Sequence, residues 1–429
     1  MKLVRTLTAL AVLSCCPVAA AAQAAADGTV LEQKVFDAWD YGQLPPWQRE
    51  VYSRESFDAL RGSAEVELLK IRYASDGLSV GGFIAKPKKV EGRKFPVIVF
   101  NRGGLADGAI GMPNFNYVHE MMRYAAEGFV VVASQYRGAD GAGGKDEVGG
   151  ADLNDVLNII KVARALPYAD ASRLFIWGYS RGALMTLQLL RDGVPARAAV
   201  LVGPPTDYRA LLPGAERLFR ASFPDYDRRK DEHLRHRSPV LWVEKLDAPL
   251  LILHGGADNL SPTHSLNLAQ KMEELGKTYE LVIYQGDNHP IILNREDRLR
   301  RTIDWFKNPR AYSGRTALRR VIEGQGIAAA VRHYHELKKT QPDRYDFSER
   351  ELNVLGYELL GTGRVKEAVE IFKLNVEAYP QAFNTYDSLA EAYAVQGETE
   401  LAIKNYRRSL ELNPQNTNAT ERLKELEKK

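Results

Sequence analysis

Four short apolar runs, at residues 96–100, 129–134, 174–177 and 198–202, constrain this chain more than any other feature. Each is rich in β-branched or aromatic residues, and each is continuous rather than alternating with polar residues. Such strands arise where both faces of a sheet are covered, the usual state of parallel strands flanked by helices. Runs at 249–253 and 279–284 complete the set, and helical patterns at 117–127, 152–165, 183–191 and 265–275 lie between them. Strands that alternate with helices predict a doubly wound α/β domain. Ahead of them, 66–73 and 78–85 flank Ser75-Asp76-Gly77, a hairpin turn signal. The prediction is a mostly parallel, eight-stranded sheet over residues 66–308. Residues 25–65, with Trp39, Pro45, Pro46 and Trp47, read as an N-terminal arm packed on that domain.

After Trp305 the character changes. Asn308-Pro309 marks a linker, and no further strand signal follows. Leu355, Gly363, Ala368, Phe372 and Pro380 recur as Leu389, Gly397, Ala402, Tyr406 and Pro414, each pair 34 residues apart. That is the period of tetratricopeptide helix pairs, whose small and aromatic residues sit where helices approach closely. A weaker unit precedes them, with Ala330, Tyr334 and Pro342 each 38 residues before Ala368, Phe372 and Pro380. Residues 416–428 read as a polar capping helix. The tail, 311–429, is therefore expected to be an all-α tetratricopeptide-like repeat.

The first 24 residues read as an export signal. Lys2 and Arg5 precede an apolar core at 7–13, and Ala22-Gln23-Ala24 fits the small-x-small cleavage pattern. The expected location is periplasmic or secreted. A lipid anchor on Cys15 is the alternative, and Leu13-Ser14 before it matches a lipobox imperfectly. Both cysteines of the chain, Cys15 and Cys16, fall in this segment, so a cleaved product has no disulfide, thiolate metal site or cysteine nucleophile. Without Lys2 and Arg5 the 58 basic residues become 56, against 55 acids. Near-neutral charge gives no electrostatic footprint for nucleic acid. No run after the N-terminus is long and apolar enough to span a bilayer.

Gly178-Tyr179-Ser180-Arg181-Gly182 directly follows one predicted strand and opens one predicted helix. This is the strand-turn-helix context of a G-x-S-x-G nucleophile elbow, which lifts the serine hydroxyl above the sheet. A serine hydroxyl is a weak nucleophile and needs a base. The strand at 249–253 runs on through His254 into Gly255-Gly256-Ala257-Asp258, and the last strand is followed by Gly286-Asp287-Asn288-His289. The order Ser180, Asp258, His289 is the order this elbow demands, with His289 as base and Asp258 fixing its tautomer. Asp207 and Asp287 are rival acids, and His254, at a strand end, is a rival histidine with a hydrogen-bonded structural role as the alternative. His233, His236, His333 and His335 read as residues of polar surfaces. The backbone N–H of Arg181 is the expected first oxyanion donor, and the second should come from Asn101-Arg102-Gly103-Gly104. Arg102 is a candidate for the oxyanion or a substrate carboxylate, with a surface arginine as the alternative. Gly103 and Tyr179 complete the candidate substrate-binding set.

Residues 66–307 resemble the catalytic domain of the prolyl oligopeptidase family of serine peptidases, an α/β-hydrolase fold. The resemblance rests on Tyr73-Ala74-Ser75-Asp76-Gly77-Leu78, Gln135-Tyr136-Arg137-Gly138, Leu166-Pro167-Tyr168-Ala169-Asp170, Ser238-Pro239, and the stretch from Ala248-Pro249 to Asp258. It implies cleavage of peptide or ester bonds through an acyl-enzyme, and the same triad. Three features depart from the family pattern. Arg102 stands where a tyrosine or histidine is usual, Ala183 replaces a second glycine after the elbow, and the arm has no room for a β-propeller with its amino-terminus-binding acids. Residues 204–247, long, charged and partly aromatic, read as a lid, with a solvated surface excursion as the alternative. The glycine-rich run 138–150 lacks the Lys-Ser/Thr ending of a phosphate loop and reads as a flexible loop near the site. No metal-ligand spacing stands out, so no metal or cofactor is expected. The expected partner is a peptide or acyl-ester substrate, with esterase activity as the alternative. A second reading makes the helical tail the working part, holding a protein partner or a second copy of the chain.

Overall fold

The computed structural model describes residues 25–36, 40–104, 115–211, 215–342 and 344–427, without the side chain of Trp47. Residues 1–24, read above as an export signal, with Cys15 and Cys16, and Trp39, lie outside the described residues.

Nine strands form one sheet: β1 (Val30–Val35), β2 (Val66–Ser75), β3 (Leu78–Pro87), β4 (Phe95–Asn101), β5 (Val130–Ser134), β6 (Ala169–Tyr179), β7 (Ala198–Val202), β8 (Leu250–Gly255) and β9 (Tyr279–Tyr284). Their order is β1-β2-β3-β5-β4-β6-β7-β8-β9. The contacts from β5 to β9 are parallel, and those from β1 to β5 through β2 and β3 are antiparallel. The eight expected strands are all present. The expected count is corrected by β1, which the arm lays antiparallel along β2. As an edge strand β1 is largely exposed, so its residues carry no apolar run. Between β2 and β3, Asp76 and Gly77 both take positive φ, 49° and 75°, the geometry of the tightest hairpin turn.

Alternation along the central strands explains their continuous apolar character. Val97, Val99, Leu174, Ile176, Leu201 and Ile252 face one helical layer, while Ile98, Phe100, Phe175, Trp177, Val200 and Leu253 face the other. The first layer contains α4 (Leu153–Ala165), α5 (Arg181–Arg191) and α8 (Thr263–Glu274). The second contains α3 (Phe115–Ala126) and α9 (Arg295–Lys307). The arm's helices α1 (Pro46–Val51) and α2 (Arg54–Arg61) place Tyr52 and Phe57 against Phe115 of α3.

Residues 204–247 carry α6 (Glu216–Ser222) and α7 (Tyr226–His236). Tyr208, Phe219, Phe223, Tyr226 and Leu234 pack on Val148 and on Leu184 of α5. His233 is buried here, with Nε2 2.6 Å from the Pro224 carbonyl oxygen, so it is not a surface histidine. The glycine-rich run is tied down rather than loose. The Asp152 carboxylate accepts the amides of Gly149 and Gly150, both at 2.9 Å, and Arg237 donates to the carbonyls of Val148 and Glu147, both at 2.8 Å.

The C-terminal part is helical: α10 (Gly314–Gln325), α11 (Ile327–Thr340), α12 (Glu349–Gly361), α13 (Val365–Ala378), α14 (Phe383–Gln396), α15 (Thr399–Leu412) and α16 (Thr417–Leu426). The starts of α12 and α14, and those of α13 and α15, are 34 residues apart. A two-residue parallel ladder, Tyr312–Ser313 with Tyr345–Asp346, stands at the entrance and was not foreshadowed by any apolar run. Tyr312 is buried in the same core as α8 and donates its hydroxyl to the Ala196 carbonyl, while Arg320 pairs with Asp247 at 2.6 Å. The helices are thereby fastened to the sheet domain. Among the described residues no helix is long and apolar enough to cross a membrane.

Candidate active site

Ser180 sits between β6 and α5 with φ 53° and ψ −123°, a strained conformation for a residue with a side chain. Its own amide donates to the Val202 carbonyl of β7 at 2.8 Å, which fixes the turn to the neighbouring strand. The flanking glycines are needed for space. A Cβ at Gly182 would collide with the carbonyl oxygen of Asn101, and one at Gly178 with that of Gly182. Close strand-helix approach thus drives the elbow, and the serine is left half-buried at the carboxyl end of β6. Its hydroxyl makes no hydrogen bond among the described residues; such bonds are often long without substrate.

Asp258 and His289 come together from the loops after β8 and β9. The Nδ1 of His289 lies 2.6 Å from Oδ2 of Asp258. The carboxylate side chain is almost fully buried, whereas 29% of the imidazole is exposed. A carboxylate only accepts, so Nδ1 carries the proton and Nε2 is left as a base. Burial alone would raise the Asp258 pKa. Hydrogen bonds from His254 and His289, and from the amide of Leu260, outweigh that and hold it well below the usual carboxylate range.

His254, the rival histidine, is fully buried and makes structural hydrogen bonds. Its Nε2 lies 2.8 Å from the Leu260 carbonyl oxygen and 3.1 Å from Oδ2 of Asp258; its Nδ1 lies 2.7 Å from Oγ of Ser265. The carbonyl fixes Nε2 as the donor, so His254 supports the same carboxylate oxygen that His289 contacts. Its position four residues before Asp258, at a strand end, was the available sequence signal. The rival acids are occupied elsewhere. Asp207 binds Arg209 at 2.8 and 2.6 Å and accepts from the Ser238 hydroxyl at 3.2 Å. Asp287 is buried and accepts the amides of Asn288, Leu293 and Asn294, so it builds the loop that carries His289.

The remaining candidates divide. Tyr179 lays its ring 4.9 Å from the His289 ring and walls the imidazole. Gly103 runs close to the elbow: a Cβ there would stand 3.2 Å from Cβ of Ser180 and 2.8 Å from the Tyr179 ring. The amide of Arg181, first residue of α5, has no intrahelical acceptor and is left for an incoming oxygen. The Arg181 guanidinium is unavailable, because it binds Asp146 and Asp152, both at 2.5 Å, and the Gly104 carbonyl at 2.9 Å. Arg102 is corrected on both expected counts. It is fully buried, neither a surface residue nor open to substrate, and its guanidinium donates to the carbonyls of Gly103 and Gln135 over the ring of Tyr136. Among the described residues no group of three or more His, Cys, Asp or Glu is placed to hold a metal ion.

Residues 113–310 match the prolyl oligopeptidase family. The chain is 29% identical over 252 residues to the uncharacterized peptidase YtmA of Bacillus subtilis, covering 57% of this chain and 95% of the relative. It is 24% identical over 318 residues to a probable dipeptidyl-aminopeptidase B of Arthroderma otae, covering 67% of this chain but 34% of that longer protein. Among solved structures, the acylaminoacyl peptidase of Pyrococcus horikoshii superposes with a TM-score of 0.50 at 25% identity, over 58% of this chain and 43% of that one. Residues 113–310 are therefore similar to a prolyl oligopeptidase family domain, and the chain is a serine hydrolase of the peptidase type.

Proposed function

We propose that Ser180, His289 and Asp258 are the catalytic triad and that the enzyme cleaves short peptides through an acyl-enzyme. The observation that carries this reading is the 2.6 Å contact of His289 with Asp258, at the sheet edge where Ser180 stands in its strained turn. Oγ of Ser180 attacks the scissile carbonyl while Nε2 of His289 takes its proton. Negative charge develops on the carbonyl oxygen, where the Arg181 amide is a ready donor. Collapse expels the amine, which receives the proton from His289. Water then repeats the sequence on the acyl-enzyme and frees Ser180. Asp258 holds the tautomer and stabilises the imidazolium.

The names of two relatives, a dipeptidyl-aminopeptidase and an acylaminoacyl peptidase, support short peptides as the substrate class. The same machinery cleaves small acyl esters, and the two activities separate in a parallel assay on aminoacyl or dipeptidyl anilides and on short nitrophenyl esters. Anilide turnover supports the peptidase reading; ester turnover alone supports a carboxylesterase. We further propose that residues 204–247 act as a lid, that the helices from 314 onward are tetratricopeptide-like and hold a protein partner or second copy, and that the chain is exported. The 34-residue spacing of helix starts supports the second proposal, and the charged, apolar and alanine-rich order of residues 1–24 the third.

A further inference from the structure

Two costly features meet beside the elbow. Arg102 is a fully buried cation with no carboxylate within ion-pair distance among the described residues, and its Nε is buried without any partner. A buried, unpaired charge is expensive and persists only where surrounding structure sustains it. Tyr136, directly beneath it, takes a φ of 66°, a strained value for a bulky residue. The two are locked together. The Arg102 guanidinium lies 4.6 Å from the centre of the Tyr136 ring, and the Tyr136 hydroxyl donates to the Arg102 carbonyl at 3.2 Å. The Arg181 guanidinium lies 4.5 Å from the centre of the same ring.

Both guanidiniums reach the glycine pair. Arg102 donates to the carbonyl of Gly103 and Arg181 to that of Gly104, each at 2.9 Å. A planar trans peptide points its N–H away from its C=O. With the Gly103 carbonyl drawn into Arg102, the amide of Gly104 faces the opposite way. No acceptor takes that amide among the described residues. The pair also passes close to the nucleophile, as the 3.2 Å approach of a Gly103 Cβ to Ser180 records.

We propose that Arg102 and Tyr136, with Arg181, form a positioning clamp that turns the Gly103–Gly104 peptide so that the Gly104 amide serves as the second oxyanion donor. Arg102 acts through this peptide and does not touch substrate. This accounts for an arginine in a buried site with no carboxylate within ion-pair distance among the described residues, and for the strained conformation of Tyr136.

The inference rests on the assignment of Ser180 as nucleophile, and the test separates the two. Wild-type enzyme is first labelled with a fluorophosphonate; failure of Ser180 to label overturns that assignment. Given labelling, kcat, KM and the affinity for a peptidyl trifluoromethyl ketone are measured for R102M, R102K and Y136F. The ketone forms a tetrahedral adduct and so reads the oxyanion donors. R102M should lower kcat about 100-fold with KM within about threefold, and weaken the ketone by a similar factor to kcat/KM. R102K should recover part of both losses, and Y136F should show the same pattern at about tenfold. Unchanged kcat in folded R102M overturns the clamp, as does a loss of kcat with unchanged ketone affinity. If R102M does not fold, R102K and Y136F decide on the same readings, and wild-type values in both overturn it.

Discussion

Asp258 and His289 meet at 2.6 Å across the loops that follow adjacent parallel strands, while His254 holds the same carboxylate oxygen at 3.1 Å. A single acid thus orients the base and is itself oriented. Asp258→Asn keeps the shape but presents an amide that can donate, which favours the wrong imidazole tautomer. It should lower kcat about 10⁴-fold on any substrate the enzyme turns over. His254→Asn should cost far less, because His289 keeps its partner. Steady-state kinetics on both variants checks the ranking; equal losses would contradict it.

Gly203 follows the strand residue that anchors Ser180 and takes a φ of 54°. A Cβ there would stand 2.8 Å from Cε1 of His289 and 2.9 Å from Nδ1. Gly203→Ala should therefore push the imidazole off its line to the serine and lower kcat by about 100-fold, since small misplacements at a reacting centre are costly. Global unfolding should shift much less than kcat. Comparing kcat with the urea midpoint tests this.

His119 of α3 is buried against Tyr52, with an unpartnered Nδ1. Burial, together with the charges of Arg295, Arg123 and Arg298, pushes its pKa down to about 3 from 6.5. Between those values the unfolded chain binds a proton that the native state refuses, so stability falls as pH falls through this window. The contribution is at most about 1.4 kcal/mol per pH unit. His119→Gln should flatten the decline in unfolding free energy between pH 6 and pH 4 relative to wild type, measured by urea titration. Parallel pH curves would contradict this account.

In the helical tail, a Cβ at Gly356 of α12 would collide with the buried ring of Phe372 on α13. Gly356→Leu should destabilise the tail by about 1–3 kcal/mol through overpacking. Because the site lies on the sheet domain, kcat should stay at its wild-type value. Circular dichroism melting and kinetics on one sample check both halves, and an unchanged melt would contradict the packing argument.

The eight strands found in the sequence are those whose residues alternate between two apolar helical layers, as Val97 and Ile98 do in β4. Burial on both sides leaves a continuous apolar signature. The strand β1 carried none because most of its side chains face water, and its pairing with β2 is a long-range event. Within the site, Ser180 was legible from the local motif, and Asp258 and His289 from their places after strand ends. The choice of Asp258 over Asp207 and Asp287 depends on which loops meet; in space Asp207 binds Arg209 and Asp287 accepts the amides of Leu293 and Asn294, while Asp258 contacts His289. The burial of Arg102 was not legible, since it depends on Tyr136 arriving from another strand end. The fixed state of the glycine-rich run was hidden for a similar reason: Asp152 and Arg237 hold it from outside.

The central claim is that the hydroxyl of Ser180 is the nucleophile activated by His289. Fluorophosphonate labelling of the folded protein, mapped by peptide mass spectrometry, tests it most directly. One label should appear per chain, on Ser180, and be lost in Ser180→Ala, with turnover falling by on the order of 10⁶. Labelling on another residue, or turnover that survives the substitution, would contradict it.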